Sequence, residues 1–392
     1  MSKEINREAG AALAEYFESR REAVVSLTRA LVEEESPSGD LAGSRAVVGL
    51  LAEEARKIEA VNSVETTPAP DNFGEHLRVR AFGNAGDRGD RCILLLGHTD
   101  TVHPRGSIRE RPWREADGRI YAPGIFDMKA NCALALEALR ACAALGLAPS
   151  CGVELLLTCD EEVGSMSGRA LVEEGARRAE VVLVLEPPAS GGRVKTARKG
   201  TAGYTLSIEG IAAHAGLDPE KGASAVLEMA RQIQRLDALS DSSRGTTLNV
   251  GVVAGGTRSN VVAAHARAEI DVRFSTADEA RRIEGALGAL EPFDPRVRLS
   301  VAGGINRPPL ERTEAVVRLY EHARSVAAAL GYELGETSVG GASDGNFAAA
   351  LGVPVLDGLG IDGDGAHAAH EHINASDITR RGALVAALIA SL

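Results

Sequence analysis

The sequence predicts an α/β chain: an α/β/α domain on a mostly parallel mixed sheet, interrupted by a smaller α+β domain of the ferredoxin-like kind. Three observations carry this. Apolar runs at 93–96, 153–158 and 181–185, each closed by polar or turn residues, read as strands buried on both faces of a parallel sheet. Helical, alanine-rich stretches alternate with them. Between about 195 and 303 the texture changes to apolar–polar alternation, the sign of strands with one face in water. At 392 residues the chain exceeds one ordinary core. Two domains are expected: 1–194 with 304–392, and an inserted 195–303.

Taken in order, residues 11–34 read as an amphipathic helix with Val24, Leu27 and Leu31 on one stripe. Ser36-Pro37-Ser38-Gly39 stops it with turn chemistry. A second helix is expected at 41–58, a strand at 79–83 and a Gly- and Asp-rich loop at 84–90. The strand from Ile93 ends in Gly97-His98-Thr99-Asp100-Thr101-Val102. His98 and Asp100 are two apart, so on extended backbone they point the same way. They face the crevice beyond the carboxyl ends of the strands, where open α/β sheets bind ligands. Residues 128–145 read as a helix with Asp127 at its N-terminus, where free N–H groups favour a carboxylate. Taken alone, Asp127 is an N-cap.

The 153–158 strand runs into Asp160-Glu161-Glu162. Successive carboxylates at a strand end repel one another. A surface loop would tolerate them; a metal would neutralise them. The 181–185 strand ends at Glu186-Pro187. In the inserted domain, a strand at 204–209, a helix at 223–239, strands at 246–253 and 266–274, a helix at 278–290 and a strand at 296–301 give the ferredoxin-like order. The first domain resumes with a helix at 311–330, a glycine loop at 340–345, a short helix at 346–351 and a strand at 353–356. A loop bearing His367, His370 and His372 follows, then a final helix at 376–390 with Ser376 as its N-cap.

A formal net charge of −12 argues against a nucleic-acid or anionic-membrane partner. The N-terminal stretch lacks the apolar core of a secretory signal, and no apolar run reaches membrane-spanning length. Five cysteines without a CxxC pair point to reduced core thiols and a cytoplasmic location.

The candidate metal ligands are His98, Asp127, Glu162, Glu186 and His370. All are nitrogen or oxygen donors, which suits zinc, with manganese or cobalt as alternatives. Two imidazoles and three carboxylates are too many for one tetrahedral ion. They suit two divalent ions, typically about 3.5–4 Å apart, sharing a bridging carboxylate. Glu161, beside a presumed ligand, is the candidate general base.

These motifs, in this order and along essentially the whole chain, resemble the M20 metallopeptidase family. That family includes glutamate carboxypeptidases, acetylornithine deacetylases and succinyl-diaminopimelate desuccinylases. The matching pieces are Gly97 to Val102, Gly124-Ile125-Phe126-Asp127-Met128-Lys129, Asp160-Glu161-Glu162, Leu185-Glu186-Pro187 and His370. The resemblance implies a catalytic domain with His98 and Glu186 on one metal, Glu162 and His370 on the other, and Asp127 bridging. Of the three clustered histidines, His370 is chosen because Glu371 follows it directly, as an acidic residue often does in the family. Asp100 would orient His98 from outside the ligand set, and a cis peptide is implied at Asp127–Met128. The inserted domain resembles the family's lid and dimerisation domain. Ala212-Ala213-His214-Ala215-Gly216 carries a histidine that reaches the active site of the partner subunit in a homodimer. Asn260 and Arg273 match substrate-binding motifs, Arg273 being suited to a substrate carboxylate.

The resemblance implies a small-molecule substrate and hydrolysis of an amide bond in an N-acyl amino acid or dipeptide-like molecule with a free carboxylate. The stretch around Arg198-Lys199-Gly200 leans toward the glutamate carboxypeptidase type. A deacetylase or desuccinylase is the enzyme alternative; aromatic deamination on the same metals and a non-catalytic metal-stabilised dimer are the others. Gly358 to Gly363 matches GxGxxG, but no helix opens after it, which argues against a dinucleotide site. Lys129 reads as a helix-surface residue or a partner of the ligand set.

Overall fold

The computed structural model describes residues 5–83 and 91–392; the loop expected at 84–90 lies outside them. The chain divides into two compact units. The first runs to Thr196 and resumes over Arg312–Val339 and Ser343–Leu392; the second is Ala197–Glu311 with Gly340–Ala342.

The first unit is built on a six-stranded sheet in the order Val61–Pro68, Glu75–Ala81, Gly152–Thr158, Cys92–His98, Ala179–Val184, Val355–Leu356. Cys92–His98 is buried at every residue and lies parallel to both neighbours. Val355–Leu356 extends the parallel set. The first two strands add an antiparallel edge, which makes the sheet mixed. Val61–Pro68 has largely exposed side chains, so no apolar alternation in the sequence announces it. The helix Gly168–Arg178 is equally unannounced: its surface is laced with Glu173 and Glu174 ion pairs to Arg169, Arg177 and Arg178, and it buries only small residues and Val172.

Helices Arg7–Glu33, Ala130–Ala144 and Asp377–Ser391 pack against one another, with Ala130–Ala144 against the Cys92–His98 strand, and bring Leu13, Phe17, Val24, Leu31, Leu134 and Leu388 into the core. A Cβ built at Gly382 would lie 2.2 Å from the Phe17 ring, so only glycine lets these two helices approach. Ser376 does not cap the last helix through its side chain; Asp377 instead accepts from the Asp362 amide and pairs with Arg380. Lys129 is buried rather than on a helix surface. Its Nζ donates to the carbonyls of Leu31 and Glu34, closing the end of the first helix, and burial lowers its pKa to about 8.

Glu137 ties the same helices by accepting from Tyr16 Oη at 2.9 Å, Arg20 Nε at 2.8 Å and Arg140. Burial raises its pKa, but the arginines and the tyrosine outweigh that and hold it below the ordinary value. The stabilisation is therefore present above the unfolded pKa and lost as pH falls through the lower folded value. Glu137→Gln is expected to cost about 2 kcal/mol at neutral pH. In thermal melts its deficit against the parent shrinks as pH drops below 4.5. A deficit that stays constant with pH would show that the carboxylate charge contributes nothing.

The second unit is an antiparallel sheet in the order Thr247–Gly255, His265–Phe274, Gly200–Glu209, Arg298–Arg307. Helices Ala225–Asp237 and Ala277–Gly288 cover one face, burying Tyr204, Leu206, Ile208, Ile270 and Val272 against Met229 and Ile283. The last strand continues to Arg307, so this unit extends past Gly303. Among the described residues all five cysteines are free, and no helix is long and apolar enough to cross a membrane.

Candidate metal centre

The parallel strands end on one edge, and the chemistry-bearing groups emerge there. His98 closes its strand. A Cβ at Gly97 would lie 2.5 Å from Met128 Cε, so glycine is needed where that side chain crosses the strand. The His98 ring is 1% exposed. Its Nδ1 donates to the Asp100 carbonyl at 3.0 Å, which leaves Nε2 facing Asp127 Oδ1 at 3.2 Å and Glu186 Oε1 at 3.4 Å.

Asp127 sits in the irregular turn Ile125–Lys129, and the Asp127–Met128 peptide is cis, as the resemblance implies. Its carboxylate caps no helix: Ala130–Ala144 has no side-chain cap, and Asp127 Oδ2 lies 3.4 Å from His367 Nε2. Glu162, on the single turn Glu161–Val163, places Oε2 3.1 Å from the same His367 nitrogen. The two oxygens of Asp127 therefore face two different imidazoles, each with a second carboxylate beside it.

His370 is corrected by this geometry. The imidazole facing Asp127 and Glu162 is His367; His370 is exposed and faces neither. The chain turns at His367 in the left-handed region, with φ at 63°, a conformation few non-glycine residues adopt. That turn directs the His367 ring back to Asp127. Glu371, which had marked out His370, is buried and points elsewhere. An aperiodic loop offers no register by which to choose among three histidines.

The acidic run divides its work. Asp160 accepts from the Ser167 amide and hydroxyl and from the Gly168 amide, anchoring the start of the Gly168–Arg178 helix. Asp100 accepts from the amides of Glu161 and Glu162, both at 3.2 Å, and from Ser38 Oγ at 2.6 Å. Its carboxylate stands 3.4 Å from His98 Nδ1, so it fixes the Glu161–Glu162 turn as well as bordering the histidine. Ser38 had no signal beyond its turn chemistry. Glu161 is 9% exposed.

The electrostatics call for a cation. Burial opposes charge on His98, but Asp100, Asp127 and Glu186 outweigh it and hold the imidazole well above its ordinary pKa. Hydrogen bonds to Asp127 and Glu162 raise His367 to about 10. Burial raises Asp127 too, yet the two imidazoles bring it far below the carboxylate range. Burial raises Glu162, and its Oε1 is buried without a hydrogen-bond partner. An orphaned buried carboxylate oxygen beside converging N and O donors fits a pair of divalent ions.

In the second unit, His214 Nδ1 accepts from the amides of Gly216 and Leu217, both at 3.1 Å. Nε2 therefore carries the proton, on an exposed ring. The Ala215 amide donates to the Asn260 carbonyl, so the His214 and Asn260 segments are neighbours. Arg273 lies on the sheet face away from the helices, in a two-pronged pair with Asp271 at 2.9 and 3.0 Å.

Residues 94–391 match the family described as Peptidase family M20/M25/M40. The chain belongs to that family. It is a hydrolase of the M20 type. Carboxypeptidase G2 from Pseudomonas sp. (strain RS-16) is 29% identical over 378 residues, 94% of this chain and 89% of that one. Succinyl-diaminopimelate desuccinylase from Delftia acidovorans is 28% identical over 333 residues, 79% of this chain and 83% of that one. The solved structure of aminopeptidase PepT from Bacillus cereus shares the fold, with a TM-score of 0.74 at 23% identity, covering 95% of this chain and 98% of that one.

Proposed function

We propose that this M20 hydrolase is a two-metal amidase that releases an amino acid with a free carboxylate from an N-acyl amino acid or dipeptide-like substrate, in the manner of a glutamate carboxypeptidase. The observation that carries the reading is Asp127, whose oxygens face His98 and His367 separately. His98, Glu186 and Asp127 would hold one ion; His367, Glu162 and Asp127 the other, zinc in the first instance. Ions so held supply Lewis-acid polarisation of the amide carbonyl and an acidified water.

The chain's own residues supply the rest. Glu161 takes the proton of the attacking water and returns it to the leaving nitrogen. Asp100 keeps Glu161 and Glu162 in register through their amides. His214 offers its Nε2–H to the developing oxyanion, from the partner subunit of a homodimer. Arg273, released from Asp271, receives the substrate carboxylate, and Asn260 lines the same site. Exposed Val226, Leu227 and Val253, beside the open edge of Thr247–Gly255, support pairing with a second copy.

The test is metal content by plasma mass spectrometry with hydrolysis of a panel of N-acyl amino acids. Near two metals per chain and preferential cleavage of glutamate amides are expected. Preference for acetylornithine or succinyl-diaminopimelate would give the deacylase reading. Bound metals with an inert panel would sink both.

A further inference from the structure

Asp127 occupies a place where an aspartate ordinarily caps backbone N–H groups, yet its carboxylate caps none. A different carboxylate takes them. Glu371, 2% exposed, accepts from the Gly124 amide at 2.7 Å, the Phe126 amide at 2.9 Å and the Asp127 amide at 3.0 Å. Its Oε2 also lies 2.5 Å from His103 Nε2. Arg111 donates to His103 Nδ1 at 3.2 Å, which makes Nε2 the protonated nitrogen and the donor to Glu371. Arg111 also donates to the carbonyl of Ala368, the residue after His367.

We propose that Glu371 is a positioning residue that frees Asp127 to bridge. By satisfying the N–H groups of the 124–127 turn, it removes the partners that would otherwise draw the Asp127 carboxylate back onto its own backbone. Because Glu371 also belongs to the loop carrying His367, one side chain sets the spacing between the bridging aspartate and the second imidazole. Arg111 and His103 hold Glu371 from behind. A carboxylate suits this role because its two oxygens accept all of these donors, whereas an amide has one acceptor oxygen and two N–H groups that would face N–H groups.

The inference rests on the two-metal reading, and the test separates them. Apo-protein is titrated with cobalt(II), following stoichiometry and visible absorption, for the parent, Glu371→Gln and Glu371→Asp, with thermal melts alongside. The parent is expected to bind two ions; binding none would defeat the two-metal reading itself. Glu371→Gln is expected to keep the first ion, to bind the second about 10–100-fold more weakly with an altered spectrum, and to lose kcat more than KM. Glu371→Asp, which keeps the charge but not the reach, is expected to fall between. Two ions bound at parental affinity and spectrum by Glu371→Gln would overturn the proposal, whatever its melting temperature. Should that variant not fold, His103→Gln is titrated instead: weaker second-ion binding supports the proposal, and parental binding overturns it.

Discussion

His367→Ala is expected to lower kcat/KM by about 10³-fold and to leave near one metal per chain, while His370→Ala stays within about twofold of the parent. The contrast follows from where two histidines of one loop point. His367 Nε2 stands 3.1 Å from Glu162 and 3.4 Å from Asp127, so its loss leaves two carboxylates without the imidazole that completes their site. His370 is exposed, and the bond it makes to His372 Nδ1 uses its backbone carbonyl, which alanine retains. His367→Asn guards against a backbone explanation, because asparagine tolerates a positive φ better than alanine does. It should lose the second metal as alanine does. Metal analysis and steady-state kinetics on the three variants decide it: a metal-depleted His370→Ala beside an intact His367→Ala would reverse the assignment.

The strands ending at His98, Thr158 and Val184 are legible because each holds a run of three or four apolar residues, at 93–96, 155–157 and 181–184, with polar residues following at one sheet edge. His98 ends a marked strand, Glu162 and Glu186 follow marked strands, and Asp127 precedes a marked helix, so local spacing places all four at element ends. His367 is not placed in this way, since it lies in a loop with no period, and its orientation depends on one left-handed residue. Local sequence assigns no role to Glu371 or Ser38. Their partners are backbone N–H groups and a carboxylate 62 or more residues away, and such pairings leave no trace in local spacing. Val61–Pro68 escaped because an exposed edge strand needs no hydrophobic face.

Glu161→Gln is expected to lower kcat by about 10²–10⁴-fold with the metal content unchanged, the range found when a general base is removed. The substitution is nearly isosteric and spares the backbone: Asp100 holds this turn through the amides of residues 161 and 162, which glutamine and glutamate offer alike. What changes is the capacity to accept a proton and pass it on. The neighbouring Glu162→Gln makes the complementary test, because Glu162 faces His367 and is read as a ligand. It should lose metal and activity together, where Glu161→Gln loses activity alone. Metal loss in Glu161→Gln would make Glu161 a ligand instead. Full turnover with both metals bound would move the proton-transfer role to another group. Separate work for two adjacent carboxylates on one turn is thus a testable proposal, and metal analysis beside kcat reads out each of them.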